Sequence, residues 1–380
     1  MTAGSTTLDK PLLFSPLARS LPATVPFVGP EALERRFGVH FKARLGANES
    51  VFGPSPKAVA AMAEAAAKSW AYGDPEQFEL KAALAGHLGV KAANITVGEG
   101  IDGLFGLLLQ VATSSGDRVL SSKGAYPTFA YHVAGHGALL DTVPYRDARP
   151  AIGQDIDALV ETARRTRPKL LYVSNPDNPT GSWVAKDLIE QLIADVPEET
   201  IIVLDEAYSD LAPAAALPDI SLVRPNLLRF RTFSKAYGMA GVRVGYAIGE
   251  ADTVRQFDKV RNHFGVSRIA QAGAMAALSD SGHLSSTISR IVAARDRLSE
   301  IALEAGLVPL PSATNFVAID CGRDGDFARA LLAAILQEGV FIRMPGIAPL
   351  DRMIRVTVGT DEDLALFAAA LHTSLAQLGR

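Results

Sequence analysis

The segment Thr200-Ile-Ile-Val-Leu-Asp-Glu-Ala-Tyr208 joins a short apolar run to two acidic residues and a tyrosine. A run of this length, bounded by polar residues, is typical of a buried strand. Similar runs alternate with segments of helical pattern at Asn94 to Val97, Arg118 to Ser121, Lys169 to Ser174, Asn226 to Thr232 and Val244 to Ile248. This alternation predicts an α/β fold with a mostly parallel sheet and helices on both faces.

The pattern changes after about residue 270, where longer helical stretches surround predicted strands at Asn315 to Asp320 and Arg352 to Val358. We expect residues 270–380 to join residues 26–55 in a smaller α+β domain formed by both chain ends. Residues 56–269 would then form the large domain, and residues 1–25 are expected to be a flexible N-terminal arm.

The composition narrows the class of protein. Hydrophobic residues make up 48% of the chain and charged residues 21%, which favours a large folded core over disorder. The 37 basic and 41 acidic residues form no long run of one sign, so we expect no nucleic-acid partner. No apolar stretch is long enough to predict a membrane span. The single cysteine, Cys321, and the lack of Cys/His metal spacing favour a cytoplasmic protein without a metal site.

Two residues suggest a specific cofactor. Asp205 follows the apolar run directly, so its carboxylate would project from a buried strand end, where an unpaired charge is costly. Lys235 lies further on, in Arg231-Thr-Phe-Ser-Lys-Ala-Tyr-Gly-Met-Ala-Gly-Val-Arg243. A lysine attacks carbonyls when its amine is deprotonated or already condensed with an aldehyde, and a pyridine ring would supply the cation that Asp205 needs. Together they predict pyridoxal 5'-phosphate, although an isolated Asp is more often a helix cap or an ion-pair partner.

Other motifs offer contacts to the same ring. Tyr208 could donate its hydroxyl to the phenolic oxygen, and so could the amide of Asn178 in Ser174-Asn-Pro-Asp-Asn-Pro-Thr-Gly181. Phe129, in Ala125-Tyr-Pro-Thr-Phe129, is predicted to stack on the ring. Taken singly, the two aromatic residues would more often be core residues, and the proline-containing loop would be an ordinary turn.

The phosphate and the substrate need clustered donors. The segment Gly98-Glu-Gly-Ile-Asp-Gly103 follows a strand and precedes a helix, which exposes backbone amides at a positive helix end, although a plain turn is the commoner explanation. Ser234 and Arg243 could bind the same phosphate, and Arg355 could clamp a substrate α-carboxylate. Each arginine could equally form an ordinary ion pair.

The ordered set Asn-Pro-x-Asn-Pro-Thr-Gly, Asp-Glu-Ala-Tyr and Ser-Lys-x-x-x-x-x-Gly-x-Arg resembles the fold-type I pyridoxal-phosphate aminotransferases of class I/II, most closely the histidinol-phosphate aminotransferase branch. The resemblance runs from about Phe27 to the C-terminus. It implies a mostly parallel seven-stranded sheet, Lys235 as the Schiff-base lysine, Asp205 as the pyridinium partner, and Phe129 as the stacking ring. Tyr208 and Asn178 would contact the phenolate.

The resemblance also implies a phosphate site and a homodimer. The residues that would bind the cofactor phosphate are Gly100, Ile101, Asp102, Thr232, Ser234, Arg243 and, from the neighbouring subunit, Tyr72. Arg343 and Arg355 would bind substrate anions, with Asn178 nearby. Phe27 stands where a tyrosine hydroxyl often binds the substrate phosphate, and Asn48-Glu-Ser-Val-Phe-Gly53 departs from the commoner Asn-Glu-Asn-Pro pattern.

We therefore expect an enzyme that moves an amino group between an amino acid or amino alcohol phosphate and a 2-oxo acid such as 2-oxoglutarate. Lys235 would move a proton from the substrate Cα to C4′ of the cofactor. Alternatives with the same cofactor are an aromatic amino acid aminotransferase and a β-lyase or racemase of the same fold. A non-enzymatic alternative is a cofactor-sensing regulatory module, which usually carries a DNA-binding domain that we do not expect in this sequence.

Overall fold

The computed structural model describes residues 13–23, 27–148 and 151–379. Much of the predicted arm, residues 1–12 and 24–25, lies outside the described residues, and so does Pro26. Within residues 13–23 a short helix covers Pro16–Ser20. Because most of the predicted arm lies outside the described residues, the flexibility of the arm stays a prediction.

The strands of the described chain are β1 Ala43–Arg44, β2 Ile95–Gly98, β3 Arg118–Ser122, β4 Leu139–Val143, β5 Arg146–Ala148, β6 Ala151–Gly153, β7 Leu170–Ser174, β8 Ile201–Asp205, β9 Leu227–Thr232, β10 Gly245–Gly249, β11 Val308–Pro309, β12 Phe316–Asp320, β13 Val340–Phe341 and β14 Met353–Thr357. The α-helices are α1 Pro16–Ser20, α2 Pro30–Phe37, α3 Pro56–Ala66, α4 Phe78–Leu88, α5 Gly100–Ala112, α6 Pro127–Gly135, α7 Ile156–Thr166, α8 Lys186–Asp195, α9 Ala251–Val254, α10 Arg268–Leu278, α11 Ser281–Glu304, α12 Gly325–Gln337 and α13 Asp361–Gln377.

The largest sheet has seven strands in the order β2-β10-β9-β8-β7-β3-β4. Strand β10 runs antiparallel to β2 and β9, while β9, β8, β7, β3 and β4 pair in parallel. The predicted mostly parallel seven-stranded sheet is therefore confirmed. Strand β4 was not among the apolar runs recognised in the sequence, because it is an edge strand with exposed and half-buried positions rather than a continuous buried run.

The register of the parallel strands brings the polar motifs together. Ser174, the last residue of β7, pairs with Asp205 at the end of β8, and Asp205 pairs with Phe230 near the end of β9. Parallel strands present their carboxyl ends at one edge of the sheet, which is where ligands bind in open α/β folds. The three loops that follow these strands therefore surround a common space.

A second group of elements combines strands β1 and β13 with strands and helices from the last part of the described chain. Strands β11, β12 and β14 form an antiparallel sheet, and β1 pairs in parallel with β13. Buried side chains of α11, α12 and α13 pack with these strands in one hydrophobic cluster. The strands predicted at Asn315 to Asp320 and Arg352 to Val358 correspond to β12 and β14.

The predicted boundary at residue 270 falls inside helix α10, which packs against α3 and α4 beside the large sheet. The division into residues 56–269 and residues 26–55 with 270–380 stays a prediction. Across the described ranges, no helix is both long enough and apolar enough to span a membrane.

Candidate active site

A cavity of about 730 Å³ opens at the carboxyl ends of β7, β8 and β9. The predicted site residues that line it are Phe27, Ile101, Asp102, Asn178, Asp205, Tyr208, Thr232, Ser234, Lys235, Arg243, Arg343 and Arg355. The other predicted site residues, Gly100, Phe129 and Tyr72, are not on its wall. Motifs spread over more than three hundred residues thus surround one space.

Asp205 is a buried acid at the end of β8. Its Oδ2 accepts a hydrogen bond of 2.7 Å from the Tyr172 hydroxyl, and its Oδ1 accepts one of 3.0 Å from the backbone N–H of Ala207. Burial raises the pKa of Asp205 to about 6, while these two hydrogen bonds oppose the rise. Neither donor carries a charge, so a cation in the cavity would stabilise the carboxylate.

Lys235 lies in the loop after β9, and its Nζ donates a hydrogen bond of 3.0 Å to the backbone carbonyl of Asn48. The same nitrogen is 5.7 Å from the centre of the Tyr208 ring. Burial, with a smaller contribution from the nearby Arg355 guanidinium, lowers the pKa of Lys235 to about 8. A sizeable fraction of this amine is therefore unprotonated near neutral pH, as a carbonyl nucleophile requires.

Arg355 connects the second group of strands to the loop after β7. Its Nη1 donates to Asn178 Oδ1 at 2.7 Å, and its Nη2 donates to the Gly46 carbonyl at 3.2 Å. Burial lowers the pKa of Arg355 to about 10, which still leaves the group cationic near neutral pH. The cavity therefore contains a fixed guanidinium next to Asn178.

The start of α5 and the loop around Arg243 form one end of the cavity. Gly100 has φ +79° and lies so close to Arg243 that an added Cβ would be 2.5 Å from Nη2. Arg243 donates to the carbonyls of Ala240 at 3.0 Å and Glu99 at 3.3 Å. Because the first amides of a helix have no partner within it, this end of the cavity suits an anion.

Two hydroxyl side chains lie at the same end of the cavity. The Thr232 hydroxyl donates to Ser234 Oγ at 2.9 Å, and the Ser234 backbone N–H donates to Thr232 Oγ1 at 3.1 Å. Ile101 and Asp102 belong to the first turn of α5 and line the cavity as well. Together these groups place several donors around one anion-sized region.

Arg343 and Phe27 lie at the edge of the cavity. The Arg343 guanidinium carbon is 4.4 Å from the centre of the Phe27 ring, and its Nη1 donates to the Val28 carbonyl at 3.0 Å. Arg343 is also paired with Arg355 through two backbone hydrogen bonds, of 3.2 and 2.7 Å. Directly opposed residues of an antiparallel pair point to the same face, so both guanidinium groups reach the same cavity.

Tyr72 lies outside the cavity on the surface. Its side chain is 75% exposed, and its ring stacks on Phe264 at a centroid distance of 4.3 Å. Trp70 and Phe78 nearby are also exposed. Tyr72 therefore does not contact the other predicted site residues of its own chain.

Phe129 is not where the sequence analysis expected it. Its ring is buried behind the sheet, stacked on Tyr172 at 4.3 Å and edge-on to Phe105 at 5.3 Å. Tyr126 lines the cavity instead and donates its hydroxyl to Asp102 at 3.1 Å. Helix α6 begins at residue 127, so residue 126 stays on the loop while residue 129 turns into the core. The structure therefore brings Tyr126 and not Phe129 to the wall of the cavity, and the stacking role of Phe129 stays a prediction.

The sequence analysis missed Tyr126, Tyr172 and Asn48 as functional residues. The position of Tyr126 directly before a proline that starts a helix indicates that its side chain stays on the loop at the strand end. Tyr172 and Asn48 act through contacts with residues distant in sequence, since Tyr172 bonds Asp205 and Asn48 bonds Tyr208 through Nδ2 at 2.9 Å. No local pattern marks such contacts.

These groups fit pyridoxal 5'-phosphate. Asp205 is a buried carboxylate that needs a cation, Lys235 has a lowered pKa, and the start of α5 suits a phosphate. Within the described ranges, no group of three His, Cys, Asp or Glu side chains could hold a metal ion. An acid, an amine and an anion site of this kind at the strand ends of an α/β sheet define a pyridoxal-phosphate-dependent enzyme of fold type I.

The chain belongs to the family of class I and II aminotransferases, whose sequence model matches residues 42–371. It is an aminotransferase, and its cofactor is pyridoxal 5'-phosphate. The predictions of enzyme class, cofactor and fold type are therefore confirmed.

Several known proteins are similar to the chain over nearly all of its length. The histidinol-phosphate aminotransferase of Anaeromyxobacter sp. is 36% identical over 363 residues, covering 94% of this chain and 98% of that protein. The crystal structure of histidinol-phosphate aminotransferase from Sinorhizobium meliloti in complex with pyridoxal-5'-phosphate is 49% identical, with a TM-score of 0.93 and coverage of 98% and 100%. Aspartate aminotransferase from Thermus thermophilus with maleate, at 24% identity, a TM-score of 0.75 and coverage of 90% and 94%, shares the fold.

Proposed function

We propose that this aminotransferase moves an amino group between histidinol phosphate and a 2-oxo acid such as 2-oxoglutarate. The observation that carries the proposal is the pair Arg343 and Arg355, which are backbone-paired neighbours on the wall of the cavity that contains Lys235. A guanidinium binds phosphate and carboxylate oxygens equally well, so both an amino alcohol phosphate and a dicarboxylic oxo acid suit this wall. The relatives named for histidinol phosphate support the same substrate.

The roles of the cavity residues follow from their chemistry. When bound, pyridoxal phosphate supplies an electron sink for the electron pair left as the substrate loses its Cα proton. Lys235 would move that proton, since an amine with a pKa near 8 can both accept and return it near neutral pH. Asp205 would hold a proton on the ring nitrogen, and Tyr208 and Asn178 would donate to the ring oxygen. The single substitution Lys235→Ala should therefore reduce turnover by at least about 10²-fold.

The cofactor phosphate would bind at the start of α5. Its donors in this proposal are the backbone of Gly100, Ile101 and Asp102 together with Thr232, Ser234 and Arg243. Tyr126 rather than Phe129 would cover the ring, because Tyr126 lines the cavity and its hydroxyl is held by Asp102. Replacing Tyr126 by Ala should weaken cofactor binding more than replacing Phe129 by Leu does, in an absorbance titration at equal protein stability.

We further propose a cytoplasmic homodimer in which Tyr72 reaches the cofactor phosphate of the neighbouring subunit. The exposed Trp70, Tyr72 and Phe78 form an aromatic surface, and large exposed aromatics favour protein contacts. A single cysteine, Cys321, suits a reducing compartment. Mixing inactive Lys235→Ala and Tyr72→Ala subunits would restore activity, because one site of each hybrid dimer would have both native residues. Mixtures that stay as inactive as the separate variants would contradict the shared site.

A second candidate substrate class is suggested by Phe27. Its ring covers Arg343, and it lacks a hydroxyl that could bind a substrate phosphate. Met344 and Ile347 add apolar surface to the same wall. An aromatic amino acid would suit such a surface.

A donor screen separates these candidates. Histidinol phosphate, phenylalanine, tyrosine and glutamate would be added singly to the holoenzyme, and the change in cofactor absorbance would give the rate of each half-reaction. We expect the highest kcat/KM with histidinol phosphate, by about tenfold or more, because two charge-assisted contacts distinguish a phosphate from an aromatic ring. A higher value for phenylalanine or tyrosine would favour the second candidate. Release of pyruvate and ammonia from an amino acid with a leaving group on its β carbon, such as cysteine, would indicate a β-lyase.

A further inference from the structure

Asn48 is a buried residue that forms hydrogen bonds to both groups of strands or to the loops that follow them. Its side-chain Nδ2 donates to the Tyr208 hydroxyl oxygen at 2.9 Å, and its backbone N–H donates to Thr357 Oγ1 at 3.0 Å. Its carbonyl accepts hydrogen bonds of 3.0 Å from both Lys235 Nζ and Asn315 Nδ2. Asn48 is only 3% exposed, so these contacts are not exchanged freely with water.

The contact with Thr357 fixes which way the amide of Asn48 points. Thr357 Oγ1 accepts the Asn48 backbone N–H, and its own hydroxyl proton points to Asn48 Oδ1 at 3.1 Å. Because a hydroxyl proton needs an acceptor, the side-chain oxygen must face Thr357 and the side-chain nitrogen must face Tyr208. Thr357 is 1% exposed, so no solvent competes for this arrangement.

The direction of this amide determines what Tyr208 can do. The Tyr208 oxygen already accepts a hydrogen bond from Asn48, so the Tyr208 hydroxyl proton is available to a different acceptor. We propose that Asn48 is a positioning residue that commits the Tyr208 hydroxyl to donate into the cavity, toward the ring oxygen of the bound cofactor. This inference rests on the position of Tyr208 beside that oxygen in the proposed function.

The surroundings of Tyr208 keep it a neutral donor. Burial raises the pKa of the Tyr208 hydroxyl well above its usual range, while Arg355 and the Asn48 hydrogen bond oppose the rise. The other charged groups that face it are Asp205 and Asp177, which favour its protonated form, and Lys235 across its ring. Tyr208 therefore keeps its hydroxyl proton throughout the neutral pH range. Its hydrogen-bond partners then determine the direction in which that proton points.

The backbone conformation of Asn48 suggests a substitution that changes the side-chain hydrogen bonding and preserves the backbone. Its φ of +54° lies in the left-handed region, which Asn and Asp adopt more readily than other residues with a side chain. Asn48→Asp therefore keeps the backbone and the volume but replaces the donor facing Tyr208 with an acceptor. The proton of Tyr208 would then be drawn away from the cavity.

The test compares four holoenzymes: wild type, Asn48→Asp, Tyr208→Phe and the double variant. For each, the visible absorbance of the bound cofactor is titrated with pH. A ring oxygen that loses its donor holds a proton more tightly, so the midpoint rises. The new negative charge acts in both backgrounds, whereas the donor is lost only where Tyr208 is present. We expect Asn48→Asp to raise the midpoint by about one pH unit more with Tyr208 than with Tyr208→Phe.

Asn315→Asp is the matched control. It introduces the same charge next to Asn48, and its amide donates to the carbonyls of Asn48 and Glu49 rather than to the Tyr208 hydroxyl, so it should shift the midpoint equally in both backgrounds. Equal shifts for Asn48→Asp as well would overturn the inference. A midpoint that Tyr208→Phe alone leaves unchanged would instead refute the proposed position of Tyr208.

A second variant decides the matter if Asn48→Asp does not fold or does not bind the cofactor. Thr357→Val removes the hydroxyl that fixes the amide, together with the acceptor of the Asn48 backbone N–H, and leaves the Asn48 side chain chemically unchanged. We expect a smaller rise in the midpoint with Tyr208 present and no rise in the Tyr208→Phe background. A shift in neither background would mean that Thr357 and Asn48 only hold the strands together, and the inference would fail.

Discussion

Replacing Tyr172 by Phe should make the stability of the cofactor-free enzyme depend more strongly on pH. Tyr172 is fully buried on β7, and its hydroxyl donates to Asp205 Oδ2 at 2.7 Å. Its ring stacks on Phe129, a contact that a phenylalanine ring would retain. The substitution therefore removes one hydrogen bond to Asp205 and leaves the packing of the ring largely intact.

The size of the effect follows from the pKa of Asp205. Burial raises this pKa to about 6 in the folded chain, whereas an unperturbed aspartate has a pKa of about 3.9. An acid with a raised folded pKa favours folding while it is protonated, and that contribution is lost as the pH rises from about 4 to about 6. Two units correspond to about 3 kcal/mol. A hydrogen bond to a charged group contributes about 1.5–3 kcal/mol, so Tyr172→Phe should raise the pKa of Asp205 by about one to two further units.

Urea unfolding of the cofactor-free protein measures this difference. The free energy of unfolding of Tyr172→Phe should lie below that of wild type at both pH values, and this gap should be about 1.5–3 kcal/mol larger at about pH 8.5 than at about pH 5. Thr200→Val is the control: the buried Thr200 hydroxyl donates to the Pro168 carbonyl at 2.7 Å rather than to an ionisable side chain, so its variant should show a deficit independent of pH. Added pyridoxal phosphate should reduce the pH-dependent part, since its ring nitrogen supplies a cation. A Tyr172→Phe deficit that is the same at both pH values would refute the reasoning.

Three further predictions test other contacts. Arg352→Met should lower the free energy of unfolding by about 3–5 kcal/mol, because it leaves Asp320 buried without its 2.7 Å partner. Arg329→Met removes an exposed ion pair, and the same urea experiment should show a much smaller loss, because water already screens that pair. Gly238→Ala should fold poorly and bind little cofactor by absorbance, because φ is +67° and the added Cβ would be 2.3 Å from a backbone oxygen. Arg355→Lys should reduce kcat/KM for 2-oxoglutarate by about 10- to 100-fold in steady-state assays, because lysine cannot form the bidentate pair with a carboxylate; an unchanged value would remove Arg355 from the substrate site.

The sequence predicted that Asp205, Asn178 and Lys235 come together in space, because each lies at the end of a recognisable strand. Asp205 ends β8, Asn178 follows β7, and Lys235 follows β9. Once the strands are taken as parallel, their carboxyl ends must meet at one edge, so proximity in space follows from local pattern alone. The edge strand β4 was harder to recognise, because exposure on one side breaks the apolar run on which strand recognition depends.

Asn48 could not be recognised in the same way. Its partners Tyr208, Lys235 and Thr357 are 160, 187 and 309 residues away along the chain. An asparagine before Glu-Ser in a loop has the same local pattern whether it caps a turn or connects two parts of a site. Its role depends on long-range contacts with β14 and with the loops after β8 and β9, which no short segment determines.

For Tyr126 the sequence contains a signal, Pro127, that distinguishes between two neighbouring aromatic rings. Two rings lie three residues apart in Ala125-Tyr-Pro-Thr-Phe129, and stacking on a ligand was assigned to the second. Proline is favoured at the first position of a helix, because its missing N–H is one that the helix leaves unpaired there. Pro127 therefore marks the start of α6, which keeps Tyr126 on the loop at the strand end and turns Phe129 toward the sheet. Since ligands of an α/β fold bind at that loop, the ring before the proline is the one expected to contact a ligand.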